Sequence, residues 1–229
     1  LPGALTTSVL TRGLAALPAS APARLGAGLA TTFLAAAVLA SAAFLICALD
    51  GKACSTPFLA ALERRKLVAS AADDLAHLLR GLSLVPLRPG ALAALTASSY
   101  DKRLKTLTVG KDKNGGDRKV SLPDVTAAFF AEQCKGKLPG APLLSRSNGK
   151  AWDKDAWKHP MKDAVTAAKL PDNVTTYTLR HSVITDLIHA GLDTLTVAQL
   201  SGTSVLMIEK HYGHLTREHA REGLARLLL

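Results

Sequence analysis

The run from Thr176 to Leu215 limits what the rest of this chain can become. Apolar residues recur there at helical spacing in two blocks. The first block stops at Gly191 and the second, shorter one at Gly202. Glycine readily closes a helix because it enters the left-handed region without strain. The first block holds Arg180, within Tyr177-Thr178-Leu179-Arg180-His181-Ser182. Beyond the second block stands Tyr212, within His211-Tyr212-Gly213-His214. A tyrosine set after a conspicuous arginine points to phosphate chemistry, and on a basic chain that phosphate is expected in nucleic acid.

The charge balance supports that expectation. The 229 residues carry 28 Lys and Arg against 18 Asp and Glu, a net charge of +10, with a pI of about 9.7. Residues 1–58 hold only Arg12, Arg24, Lys52 and Asp50, which leaves 25 basic and 17 acidic residues beyond them, a net +8. A basic globular part suits a polyanion. Apolar residues make up 48% of the chain, so a core is easily filled. Cys47, Cys54 and Cys134 are scattered. They have neither metal-ligand spacing nor the layout of a disulfide framework, and a reducing cytosol is the simplest compartment.

Residues 1–24 are small and apolar, punctuated by Pro2, Pro18 and Pro22. Leu25 to Leu49 is a run of 25 uncharged residues, nine of them Ala and six Leu. On length alone it is a membrane-span candidate. Its glycines and hydroxyl residues weaken that reading, and a buried helix is favoured over a span or a signal-like segment. Composition changes at Ser55-Thr56-Pro57, and charges begin with Glu63-Arg64-Arg65-Lys66, so a boundary is expected near residue 57.

Beyond the boundary the pattern is mostly helical. Ser70 with Asp73 forms a capping-box pattern, with Asp in the place of Glu or Gln. Leu75, Leu78, Leu79 and Leu82 follow at helical spacing. In Leu87-Arg88-Pro89-Gly90, Pro89 fits the first turn of a new helix. Lys105 to Val109 and Arg118 to Leu122 alternate as strands around Asn114-Gly115-Gly116, a hairpin with lysines at its tip. Pro123 and Asp124 open a helix that runs to about Cys134, and Pro139 to Leu144 is a loop with a possible third strand. Trp152 to Lys169 is helical, with Pro160 expected to bend or offset it. Trp152 and Trp157 read as core or interface anchors. Thr216 to Leu229 reads as an amphipathic tail carrying Leu224, Leu227 and Leu228. The fold class expected is mostly α (α+β), a helical domain with one small antiparallel sheet.

A tyrosine can break a phosphodiester without water or metal. Its phenolate is a reasonable nucleophile and later a reasonable leaving group. Its pKa near 10 calls for activation or for a transition state stabilised by fixed positive charge. Arginine supplies that charge in a planar fork. A general acid must protonate the departing 5′ oxygen, and a lysine at a hairpin tip has the reach. His211 and His214 sit at i and i+3 like a metal pair, but no Cys, Asp or Glu completes a site.

From about Leu62 to the C-terminus the chain resembles the tyrosine recombinase, or phage integrase, family. Leu-Arg-Pro-Gly, a lysine hairpin, Leu-Arg-His-Ser and His-Tyr-Gly-His in that order make a specific match. The resemblance implies residues 58–229 as a catalytic domain, preceded by residues 1–57 as a truncated remnant of a DNA-clamping domain. It implies Arg88 and Arg180 as phosphate-binding arginines and Tyr212 as the nucleophile of a 3′-phosphotyrosine. Lys113 is implied as general acid, with Lys111 as the alternative. His181 is expected to be a buried hydrogen-bonding neighbour of the motif. Three positions depart from the family: Tyr177 replaces a histidine, Thr203 replaces His or Trp, and Ala91 replaces an acidic residue. The family's reaction needs no ATP and no metal. It joins double-stranded DNA in an assembly of four protomers on two sites, with the C-terminal tail docking on a neighbour, and it belongs in the cytoplasm at the nucleoid. The implied function is site-specific recombination or integration, often of mobile elements. The alternative is an inactive DNA-binding remnant.

Overall fold

The structure, a computed structural model, describes residues 57–110, 117–225 and 227. The apolar run Leu25–Leu49 and both hairpin lysines, Lys111 and Lys113, lie outside the described residues. No described helix is long and apolar enough to cross a membrane.

Two helices open the described part, α1 (Ala61–Ser70) and α2 (Asp73–Leu84), packed on each other. Leu75, Leu78, Leu79 and Leu82 are fully buried, as their spacing predicts. Burying each removes a whole leucine side chain from water, worth roughly 2 kcal/mol. The capping box at Ser70 does not form. Ser70 is the last residue of α1, and Ala72, with no side-chain cap, precedes α2. Asp74 is used instead to hold a distant loop, its Oδ2 accepting from the backbone of Ser147 at 2.9 Å.

The short helix α3 (Pro89–Ala93) begins at Pro89, whose fixed φ and missing N–H cost nothing in a first turn. Arg88 is therefore the residue that enters this helix, with extended backbone. Leu87 and Leu92, on either side of it, are fully buried and fix its place.

The sheet is three-stranded and antiparallel in the order β1 (Tyr100–Asp101), β2 (Thr106–Val109), β3 (Arg118–Ser121). The hairpin pairs Val109 with Arg118 and Leu107 with Val120. The third strand is not at Pro139–Leu144 but at Tyr100–Asp101. Pro142 makes one isolated bridge to Thr96, and a proline has no N–H to extend a ladder. Leu143 and Leu144 are buried all the same.

Helix α4 (Asp124–Cys134) follows the sheet, and α5 (Lys154–Ala167) starts at Asp153, whose carboxylate accepts from Asp155 N and Ala156 N. Pro160 lies inside α5. Trp152 is buried and Trp157 packs on the main core.

The run first singled out becomes α6 (Thr176–His189), α7 (Thr194–Ser201) and α8 (Val205–Ala225). Gly191 and Gly202 have φ of +86° and +66°, the left-handed values that stop the preceding helices. The amphipathic tail is no separate element: it continues α8 in one 21-residue helix that also carries Tyr212.

Helix α6 joins two cores. Leu179 belongs to the larger one, built with α2 and the sheet. Ile184 and Ile188 belong to a smaller one with Val197, Ala198, Ile208, Tyr212 and Leu215. Polar ties fasten α1 and the residues leading into it to α6: Ser182 Oγ accepts from the backbone of Leu59 at 2.8 Å, and Arg64 pairs with Asp186.

Candidate active site

Arg180 sits on α6 with 8% of its surface exposed. Its Nη1 donates to two backbone carbonyls, those of Pro86 and, at 2.8 Å, Ser201. Each carbonyl stands next to another part of the sequence pattern. Pro86 leads into Leu87-Arg88, and Ser201 leads into Gly202-Thr203. One guanidinium therefore ties the segment bearing Arg88 and the end of α7 to the same point on α6.

Burial is the main force on that guanidinium, and the like charge of Arg88 is the next. Together they lower its pKa to about 10, so it stays charged at neutral pH. Tyr212, Arg118 and Tyr177 are also close enough to act on it electrostatically. The structure thus brings together Arg88, Arg180, Tyr177 and Tyr212, which the sequence singled out, along with Arg118, which it used only as a marker of the hairpin.

Arg118 was missed for a reason that is visible in the strand. In β3 it is half-buried, Lys119 is exposed and Val120 is buried. Arg118 therefore shares the inward face of an alternating strand, where a basic residue is unusual. That parity was the signal available in the sequence.

Tyr212 is 8% exposed, within the small core, and its helix α8 packs on α6 and α7 of the same chain. Its hydroxyl lies 2.8 Å from Nδ1 of His181. The two rings are 5.1 Å apart at 31°. Burial holds the His181 pKa down to about 4, with smaller contributions from His211 and His214. The imidazole is therefore neutral at neutral pH and has one nitrogen able to accept a proton.

The positions that depart from the family pattern stand around this centre. Tyr177 is 56% exposed, one helical turn before Arg180. Thr203 is half-buried just past Gly202, and its N–H donates to Ala198 O at 3.0 Å. Ala91 packs against the main core, so no carboxylate stands three residues beyond Arg88. Among the described residues no three His, Cys, Asp or Glu side chains are grouped to hold a metal ion.

A buried, charged arginine with a second arginine beside it and a core-held tyrosine within electrostatic reach is an arrangement able to bind a phosphate ester beside a nucleophile. Residues 63–219 match the model of the phage integrase family, and the chain belongs to that family. It is similar to tyrosine recombinase XerC of Anoxybacillus flavithermus, 32% identical over 87 residues, 38% of this chain and 29% of that protein. It is also similar to tyrosine recombinase XerD of Corynebacterium glutamicum, 34% identical over 88 residues, 38% of this chain and 28% of that one. The matched part is thus about three tenths of the length of these curated relatives. Among solved structures, the XerA recombinase superposes with a TM-score of 0.60 at 20% identity, over 76% of this chain and 65% of that one. The catalytic domain of bacteriophage HP1 integrase gives 0.57 at 19% identity, over 76% of this chain and 96% of that domain. At such identities the likeness is one of fold, and the fold is the mostly helical one with a small antiparallel sheet.

Proposed function

We propose that residues 58–229 form the catalytic domain of a site-specific DNA recombinase or integrase that works through a 3′-phosphotyrosine. Tyr212 Oη attacks the scissile phosphate of double-stranded DNA and releases a 5′ hydroxyl. Arg88 and Arg180 hold the non-bridging oxygens as charge develops on them. Lys113, or Lys111 two residues away, protonates the departing oxygen, and Tyr177 and Thr203 each offer a hydrogen bond. The bond energy stays in the phosphotyrosine, so a second 5′ hydroxyl can reverse the step without ATP or metal.

One observation supports this reading best: Tyr212, held in the core of its own chain, lies within electrostatic reach of Arg180, whose neighbours include Arg88 and Arg118. Family membership and the net +8 of the chain beyond residue 58 agree with it. The partner proposed is double-stranded DNA, bound by four protomers across two sites. Leu224, exposed on α8, fits a tail that docks on a neighbour. A structural neighbour, the Tn1549 transposon integrase, was solved in complex with transposon right end DNA, which fits a place in mobile-element biology. The proposed compartment is the cytoplasm, at the nucleoid, and residues 1–57 are proposed to belong to a DNA-clamping part of the protein.

The absence of a carboxylate at Ala91 favours a second reading, a DNA-binding remnant without cleavage. Covalent trapping separates the two. The chain is incubated with nicked suicide DNA carrying an attachment site, beside Tyr212→Phe. A denaturation-resistant protein–DNA band, lost in the variant, supports the recombinase. A gel shift with no such band supports the remnant.

A further inference from the structure

The nucleophile's proton has no obvious destination in the sequence pattern. Tyr177 stands where the family places a histidine, and a phenol is a poor base at neutral pH. The structure offers another group. His181 follows Arg180 on α6, and its Nδ1 lies 2.8 Å from Tyr212 Oη. The rings pack against each other with centroids 5.1 Å apart and planes tilted by 31°, which holds the contact in one geometry. Both side chains are fixed by the chain's own helices α6 and α8, so the contact exists before DNA arrives.

We propose that His181 is a catalytic residue that accepts the proton of Tyr212 when that tyrosine attacks the phosphate, and returns it on rejoining. This rests on the recombinase reading above. The O–H bond of Tyr212 breaks and its proton passes to Nδ1, in the tautomer that carries its own proton on Nε2. The Oη–P bond forms as the P–O5′ bond breaks. The electron pair leaves on the 5′ oxygen, which takes a proton from the hairpin lysine. Rejoining runs the same transfers backward: the lysine recovers its proton from the attacking 5′ hydroxyl, and His181 reprotonates the departing phenolate.

The surroundings suit the role. Burial and the neighbouring His211 and His214 keep the imidazole unprotonated in the free protein, which is the state a proton acceptor needs. A phosphate anion drawn to Arg88 and Arg180 adds negative charge close by and makes the protonated ring easier to form, at the moment the transfer is required.

The test uses the full chain in single turnover on two nicked suicide substrates. They are identical except that the bridging 5′ atom is oxygen in one and sulfur in the other. A sulfur leaving group departs without a proton, so it relieves a missing acid and not a missing base. Wild type, His181→Gln and His181→Ala are compared, with DNA affinity followed by gel shift. The glutamine keeps an acceptor near Oη but cannot take the proton. Loss of the proton acceptor predicts adduct formation slowed about 100-fold on both substrates, at unchanged affinity. The proposal is overturned if His181→Gln cleaves within about threefold of wild type. It is equally overturned if sulfur restores the rate, or if DNA binding is lost together with cleavage. A wild type that binds the DNA and forms no adduct on either substrate sinks the recombinase reading itself, and this proposal with it.

Discussion

Arg180 spends two of its hydrogen bonds on protein before any ligand is present, both from Nη1, one to the carbonyl of Pro86 and one to the last carbonyl of α7. Lysine keeps the charge but not the planar fork, so it cannot hold both segments and still present donors to a phosphate. Arg180→Lys is therefore expected to lower the rate of covalent trapping by about 100-fold or more, as for loss of a donor aimed at developing charge. Gel-shift affinity should change far less, and an equal fall in both would mean that the arginine serves binding alone. Arg88, Arg180 and Tyr212 are legible in the sequence because each sits in a short pattern of its own. The contact of His181 with Tyr212 is not, because its partners are 31 residues apart on different helices. The burial of His181 has a signature in stability. His181 has a folded pKa of about 4, below its ordinary 6.5. Between those values the unfolded chain binds the proton more readily, so stability is complete above about pH 6.5 and falls as pH drops toward 4. The loss from this group is at most about 3 kcal/mol. Urea unfolding of wild type and His181→Phe near pH 7 and near pH 5 checks it: the difference between the two proteins should shift against wild type at the lower pH. A difference that does not vary with pH would show that His181 is not desolvated.

Helix placement depends on close approach as much as on capping. Gly81 lies in α2 where α3 and the loop at Leu144 come nearest. A Cβ there would stand 3.0 Å from Leu92 Cδ2 and 3.1 Å from Leu144 Cδ1, and both leucines are fully buried. Gly81→Ala sets a gain of about 1 kcal/mol in helix propensity against that crowding and should come out near neutral. Gly81→Val adds two further carbons in the same gap and should cost about 1–3 kcal/mol in urea unfolding. Since Leu92 belongs to the helix that Arg88 enters, the valine variant should also slow covalent trapping. Normal trapping with full loss of stability would separate packing from the site. The sequence makes most of these elements legible: the leucine spacing of α2, Pro89 at the head of α3, and the alternation that pairs β2 with β3. It misses what depends on tertiary partners. Two residues, Tyr100 and Asp101, carry too little alternation to read as a strand, yet they pair with Leu107 and Thr106. Ser70 looks like a cap, but α1 runs through it. The tail from Thr216 looks separate, but nothing in the sequence before it stops α8.

Charge belongs to the chain as a whole, and it sets how DNA affinity depends on salt. Each phosphate neutralised by Lys or Arg releases counterions, so log K falls with log salt at a slope of roughly −0.9 per contact. The net +8 beyond residue 58 is spread over surface lysines and the half-buried Arg88 and Arg118, and these should not respond alike. Surface lysines act as point charges anywhere along the backbone. Arg88, close to Arg180, is proposed to act at one phosphate. Arg88→Ala should therefore reduce the slope by about one unit and weaken binding similarly for every DNA sequence, because a phosphate contact carries no base information. Cleavage should fall much further than affinity, since the same contact strengthens as charge builds in the transition state. Fluorescence titrations of wild type and variant at several salt concentrations give the slopes, and trapping gives the rates. An unchanged slope would remove Arg88 from the DNA-binding surface. A changed slope with an unchanged cleavage rate would leave Arg88 as a surface contact like the lysines, and Arg180 would then have to carry the scissile phosphate without it.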